Sequence, residues 1–211
     1  MINGINSREM ILEILLEIEE GEHSHVAIRN ALSKYQFLPK QDRAFITRVC
    51  EGTLEYRIQI DYIINSFSKV TVDKMKPAIR EILRSAVYQL KYMDSVPDSA
   101  VCNEAVKLAQ RKGFYNLKPF VNGVLRTIAR EMDQVRFPQK EDDLLKYLSV
   151  KYSMPEVLVT RWLEAYGEET TEKILADFLM EHPLTIRCRT YLNSKEEVIK
   201  SLESQGVHVA P

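Results

Sequence analysis

Glycine and proline are scarce in this chain, 7 and 8 of 211 residues, and so few turn formers exclude collagen-like or low-complexity sequence and favour helices over many-stranded folds. Cysteine is scarcer still. Cys50, Cys102 and Cys188 lie far apart, so they offer neither a disulfide framework nor a paired-cysteine zinc motif, and a reducing cytoplasm is the expected setting. No run of about 18 apolar residues occurs and the first residues, Met1 to Ser7, are polar, so neither a membrane span nor a secretory leader is expected. The glycine signatures GxGxxG, GxxxxGK[ST] and GxSxG are absent, and His23, His25, His182 and His208 have no metal-ligand spacing. No catalytic, metal or cofactor residue is assigned on these patterns.

What is present is helical periodicity. Hydrophobic residues make up 45% of the chain, enough for the core of one or two domains. Asn6 and Glu9 have the spacing of a capping box before Ile11, Ile14, Leu15 and Ile18. A second helix is expected from His25 to Tyr35. Phe45 to Phe67 reads as one long helix or two, with Gly52 marking a tight crossing or a break. Pro77 opens the strongest helix, whose stripe is Ile79, Ile82, Leu83, Ala86, Val87 and Leu90. Asp98 or Ser99 starts another that Gly113 closes, and Pro119 begins the next. About seven helices precede residue 135, with connections short enough for a compact bundle.

A net charge of -1 argues against wholesale phosphate binding, but the average conceals a pattern. Between Ala100 and Arg130 the chain carries Lys107, Arg111, Lys112, Lys118, Arg126 and Arg130 against the single acid Glu104, and beyond Glu131 acids prevail. Such asymmetry marks either a local binding face or the solvated sides of two amphipathic helices. Lys and Arg grip phosphates while Phe114, Tyr115 and guanidinium planes stack on unpaired bases, so single-stranded RNA is the ligand class these residues fit. The alternative is that Phe114 and Tyr115 plug the bundle. Cys50 and Cys102 sit beside apolar stripes and read as small buried hydrophobes.

Arg136 to Gln139 reads as a boundary, giving domains 1–135 and 136–211. After it, helices are expected around Leu144 to Tyr152, Pro155 to Tyr166 and Thr171 to Leu179. The period then changes: Leu184 to Leu192 alternates like a strand, Ser194 caps a helix, and Gly206 to Val209 resembles a second strand. The expected fold class is mainly α, a helical bundle followed by a smaller helical unit ending in a partial α/β, strand-helix-strand element. So small a sheet is not independently stable, so either it packs on the preceding helices to complete itself or the sequence is a piece of a longer protein.

Several runs resemble a known family. Ile82 to Leu90 (ILRSAVYQL), Val96-Pro97, Asn103 to Ala109 (NEAVKLA) and Phe120 to Arg126 (FVNGVLR) are similar to the second half of a NusB-type domain, and Asp42 to Phe45 with Gly52 fits its first half. Pro155 to Gly167 (PEVLVTRWLEAYG) and His182 to Arg189 (HPLTIRCR) resemble the linker region of the Sun/Fmu/RsmB family of small-subunit rRNA (cytosine-C5)-methyltransferases. The resemblance implies an RNA-binding region that positions small-subunit rRNA for the same protein's own catalytic domain, which would hold S-adenosylmethionine; a ribosomal protein is a further implied partner, and a NusB-like antitermination factor or protein-interaction module the alternative function. It implies RNA contacts at Arg8, Arg43 and the basic segment Lys107, Arg111, Lys112, Lys118 and Arg126, to which Arg130 is added by spacing. The first helix is acidic, with Glu13, Glu17, Glu19, Glu20 and Glu22. The family's cysteine motifs match no position here, so no catalytic residue is carried over and no cofactor is assigned to these residues.

Overall fold

Helices form where the sequence supplies caps and apolar stripes. In a computed structural model, which describes residues 6–180 and 184–210, the Asn6 side chain accepts from the backbone N–H groups of Arg8 and Glu9 and starts α1, Ser7–Glu19. Gly21, at φ 111, ends it. Next come α2 (Ser24–Lys34), α3 (Lys40–Glu55), α4 (Arg57–Phe67), α5 (Pro77–Tyr92), α6 (Asp98–Arg111) and α7 (Lys118–Glu131). Seven α-helices therefore precede residue 135 among the described residues.

The expected strongest helix lies at the centre. Pro77 occupies the first turn of α5, whose Ile79, Ile82, Leu83, Ala86 and Val87 are buried. Burial of each such Leu, Ile or Val side chain contributes roughly 1.5–3 kcal/mol. Glu81, Ser85, Tyr88 and Gln89 are buried too, because α5 packs against α1, α3, α4, α6 and α7 at once. Buried Glu81 is compensated by Arg84, which donates to it at 2.6 Å and clamps Asp61 of α4 through two bonds of 2.7 and 2.6 Å.

Gly52 marks a crossing rather than a break. A Cβ there would overlap the Tyr88 ring, so α3 approaches α5 only with glycine at that position. The break comes four residues later at Tyr56 (φ -93, ψ 17), the residue shared by the end of α3 and the start of α4. Its cause is distant in sequence: Ser153 Oγ accepts from the Ile58 backbone N–H at 3.0 Å, satisfying a free donor of α4's first turn.

After α7 the chain crosses the bundle as an irregular strap, with Tyr62 OH donating to the Arg136 carbonyl at 2.7 Å. Asp143 caps α8, Leu144–Lys151. The next helix, α9 (Glu156–Phe178), consists of two arms meeting at Gly167, φ 74, and these arms are the two separate helices expected there. Leu148, Val159 and Leu175 form a small second core with Trp162 and Tyr152 around it. Gln59 of α4 ties α8 to the bundle, its amide donating to the carbonyls of Val150 and Lys151 at 3.1 and 3.2 Å.

Contacts divide the chain into two compact units, Met1–Phe178 and Leu179–Pro211. Within the second, α10 (Lys195–Ser204) has a complete capping box between Ser194 and Glu197. The mainly α fold class is the one observed, but the two expected strands are corrected: neither 184–192 nor 206–209 has strand structure among the described residues. The alternation is real, with no neighbouring strand to complete a ladder, and Leu184, Ile186, Tyr191 and Leu192 stay exposed. His182 and Pro183 of the linker-like run lie outside the described residues. No helix among those residues is long and apolar enough to cross a membrane.

Candidate nucleic-acid interface

The apolar stripes of α6 and α7 fix which way their charges point. Val101, Cys102, Ala105, Leu108 and Ala109 face the core from α6, and Val121, Val124, Leu125 and Ile128 from α7. Asn103, Lys107 and Arg111, spaced four apart, are thereby left exposed on α6, as are Arg126 and Arg130 on α7. Gly113, at φ 86, closes α6 and lets the Phe114 backbone N–H donate to the Ala109 carbonyl at 2.9 Å. The chain then turns into α7, where the Lys118 ammonium donates to Gln110 at 2.9 Å, joining the end of one helix to the start of the next.

Glu104 is the focus of the charged surface. Lys107 donates to its carboxylate at 2.7 Å, and that bond, together with the nearby charges of Lys107, Arg8 and Arg111, holds the Glu104 carboxyl below its ordinary range. One acid thus answers three cations drawn from α1 and α6. Arg8 lies across the Phe45 ring, 5.2 Å from its centroid; burial lowers its pKa, Glu104 opposes that effect, and its Nε has no hydrogen-bond partner. Arg126 donates to the neutral side chain of Asn122 at 2.9 Å and acts electrostatically on Cys102 of α6. Arg111, Lys118 and Arg126 make no ion pair among the described residues.

The remaining sequence candidates are placed differently. Lys112 turns to the acidic first helix and pairs with Glu9 at 3.2 Å and Glu13 at 3.0 Å, which raises its pKa. Arg130 is exposed and pairs with its neighbour Glu131 at 2.6 Å. Arg43 donates to the Leu32 carbonyl at 3.0 Å, bonding one of the last backbone acceptors of α2. The two aromatic readings divide between the two residues: Phe114 packs against the bundle core, whereas Tyr115 is 60% exposed beside the α6–α7 turn.

This arrangement suits recognition rather than bond making. Unneutralised guanidinium and ammonium groups beside an exposed tyrosine can hold phosphates and stack a base. The histidines, cysteines and acids of the described residues form no cluster able to hold a metal ion. Burial pushes the Cys50 thiol far up and raises that of Cys102, the behaviour of inert buried thiols. The glycines with positive φ, at 21, 113, 167 and 206, end or bend helices.

Comparison with known proteins identifies the family and the fold. Residues 5–130 match the NusB family, and residues 154–211 match the methyltransferase RsmF/B-like, ferredoxin-like domain. The probable ribosomal RNA small subunit methyltransferase B of Bacillus subtilis is 32% identical over 96% of this chain, and that of Synechocystis sp. 31% over 94%. The chain spans 44% of each of these relatives. The transcription antitermination protein NusB of Dictyoglomus thermophilum is 33% identical over 61% of this chain and 85% of its own length. The crystal structure of PH0851 has the same fold, with a TM-score of 0.68 and 24% identity, covering 98% of this chain and 46% of that one. A crystal structure of the antitermination factors NusB and NusE with dsRNA has a TM-score of 0.54 at 21% identity and covers 59% of this chain and 93% of that one. The chain belongs to the NusB family, in the form that resembles the N-terminal domains of rRNA small subunit methyltransferases and continues into an RsmF/B-like, ferredoxin-like segment.

Proposed function

We propose that these residues are the RNA-recognition region of an S-adenosylmethionine-dependent rRNA (cytosine-C5)-methyltransferase, with the module over 1–135 gripping small-subunit rRNA and 136–211 leading toward the catalytic part of the same protein. The observation that carries this reading is the surface of α6 and α7, where Arg111, Lys118 and Arg126 make no ion pair among the described residues and Lys107 and Arg8 share Glu104. Lys107, Arg111, Lys118 and Arg126 take phosphates, Arg8 adds a charge from α1, and Tyr115 stacks on an unpaired base. Arg43, Lys112 and Arg130 contribute at the margin, since each already has a partner in the protein. Methyl transfer and its cofactor belong to the part of the methyltransferase relatives that these residues do not cover.

The test is competition binding with unstructured RNA against the chain and its Lys107→Glu, Arg111→Glu, Lys118→Glu variant. The reading requires at least about a hundredfold loss of affinity, about 1 kcal/mol or more per charge, with unchanged helical circular dichroism. Equal affinity of the two proteins would refute it. A second reading, an antitermination-type module that also docks a ribosomal protein, draws support from the NusB relatives and the solved NusB–NusE–dsRNA neighbour. It requires a boxA-type RNA to outcompete ribosomal helices.

A further inference from the structure

A recess of about 260 Å³ lies away from the α6–α7 surface, where α4 and α5 meet the strap and α8. Gln59, Lys91, Phe137, Pro138, Tyr147 and Lys151 line it, and no carboxylate does. Its walls are mostly apolar. Lys91 is unusual among the bundle's cations: its ammonium lies 5.5 Å from the Tyr92 ring centroid and 5.4 Å from that of Phe137, and it makes no ion pair among the described residues. Burial lowers its pKa, with Asp133 the opposing charge. On the other side Lys151 lies over the Tyr147 ring at 4.9 Å and pairs with Glu172 at 3.0 Å.

The recess is built in advance rather than left between loosely packed parts. Gln59 is committed to the Val150 and Lys151 carbonyls and accepts from Tyr92 OH. The strap is fixed by the Tyr62 bond to Arg136 and by Tyr62 stacking on Phe137, centroids 5.7 Å apart. An aromatic-walled cavity just under the ~300 Å³ lower range of small-molecule pockets suits one flat ring system. The Lys91 ammonium at its edge and no acid in its lining suit a ring that carries a phosphate. An unpaired nucleotide combines these properties, whereas a neutral apolar ligand leaves the Lys91 ammonium, which makes no ion pair among the described residues, without a direct partner.

We infer that this recess receives a single unpaired nucleotide of the RNA held on the α6–α7 surface, its base between Phe137, Pro138 and Tyr147 and its phosphate at Lys91. The inference rests on the RNA-binding reading above. It gives the strap and α8 a direct part in substrate recognition, beyond joining the bundle to α9. Base stacking on aromatic side chains tolerates any base, so the recess selects for an unpaired nucleotide rather than for a sequence.

The experiment is photo-crosslinking of the chain to single-stranded RNA carrying 4-thiouridine, with peptide mapping, alongside affinities for the Lys91→Gln, Tyr147→Leu and Lys107→Glu/Arg111→Glu variants. Crosslinks within residues 137–151, and binding weakened about tenfold by Lys91→Gln and by Tyr147→Leu at unchanged thermal melting, support the inference. If Tyr147→Leu lowers the melting temperature, Lys91→Gln, which removes the charge and keeps most of the half-exposed stem, decides alone. RNA binding that depends on Lys107 and Arg111, with neither crosslinks there nor any effect of Lys91→Gln, overturns the recess and leaves the α6–α7 reading standing. Absence of RNA binding overturns both. A free nucleoside monophosphate that binds there as tightly as RNA overturns the assignment to an RNA chain.

Discussion

The lysines of α8 and α9 are neutralised within the protein, whereas on α6 and α7 only Lys107 and Arg130 pair with an acid among the described residues and three other cations do not. On α8, α9 and the turn before them, Lys140 pairs with Glu168 and Glu172, Lys146 with Glu156, Lys151 with Glu172, and Lys173 with Glu169. Each of these four lysines has a carboxylate, and the result is internal cohesion. On α6 and α7, Lys118 and Arg126 are held by the neutral side chains of Gln110 and Asn122, and Arg111 makes no ion pair among the described residues. Neutral acceptors orient a cation without cancelling its field, so the potential stays available to a phosphate. The difference explains how a chain of net charge -1 carries a local surplus of positive charge.

The comparison is sharpened first by breaking a cation that serves structure. Arg84→Ala leaves buried Glu81 without its hydrogen-bonded partner, with Arg80 only at 3.9 Å, and should cost about 3–5 kcal/mol, read as a lower denaturation midpoint, while the folded fraction binds RNA as before. Gly52→Ala drives a methyl into the Tyr88 ring; overpacking of this kind costs about 1–3 kcal/mol and again leaves RNA affinity intact.

The paired region has its own pH signature. Glu172 accepts from Lys151, with Tyr152 and Lys140 as further partners, and its carboxyl is held down to about 2, against an ordinary value of 4.5. A carboxyl whose pKa is lower in the folded state stabilises fully above its unfolded value and loses that contribution as pH falls through the folded one. Stability linked to Glu172 should therefore decline between pH about 4.5 and about 2 and be insensitive to pH above that window. In Glu172→Gln this part of the decline disappears from acid-unfolding curves; an unchanged curve contradicts the assignment. The smallest effect on stability belongs to Arg111→Gln and Arg126→Gln, within about 0.5 kcal/mol each as for exposed residues. Their RNA affinity should nonetheless fall about tenfold.

Signals carried by neighbouring residues were legible in the sequence. Pro77 and the Ile79, Ile82, Leu83, Ala86, Val87 stripe placed α5, Gly113 placed the end of α6, and the spacing of Lys107 with Arg111 put both on one exposed side. Signals carried by residues far apart were not. The break at Tyr56 depends on Ser153, and Lys112 turns away because Glu9 and Glu13 reach it from a helix about a hundred positions earlier. Arg43 looked free because its acceptor is a backbone carbonyl, which no side-chain pattern reveals. The two strand patterns failed for a third reason: alternation prescribes a face, but a strand exists only beside another. The Lys91 recess leaves no mark in the sequence because its walls come from four separate stretches of chain, each ordinary by itself.

The most direct test of the central claim is the salt dependence of single-stranded RNA binding by the chain and by its Arg111→Gln, Lys118→Gln, Arg126→Gln variant. Each phosphate contact on a single strand contributes about 0.7 to the slope of log affinity against log salt. Loss of three contacts should therefore flatten the slope by about 2. Parallel lines for the two proteins would contradict the account, because the charges left without carboxylates would then not be the ones that hold RNA.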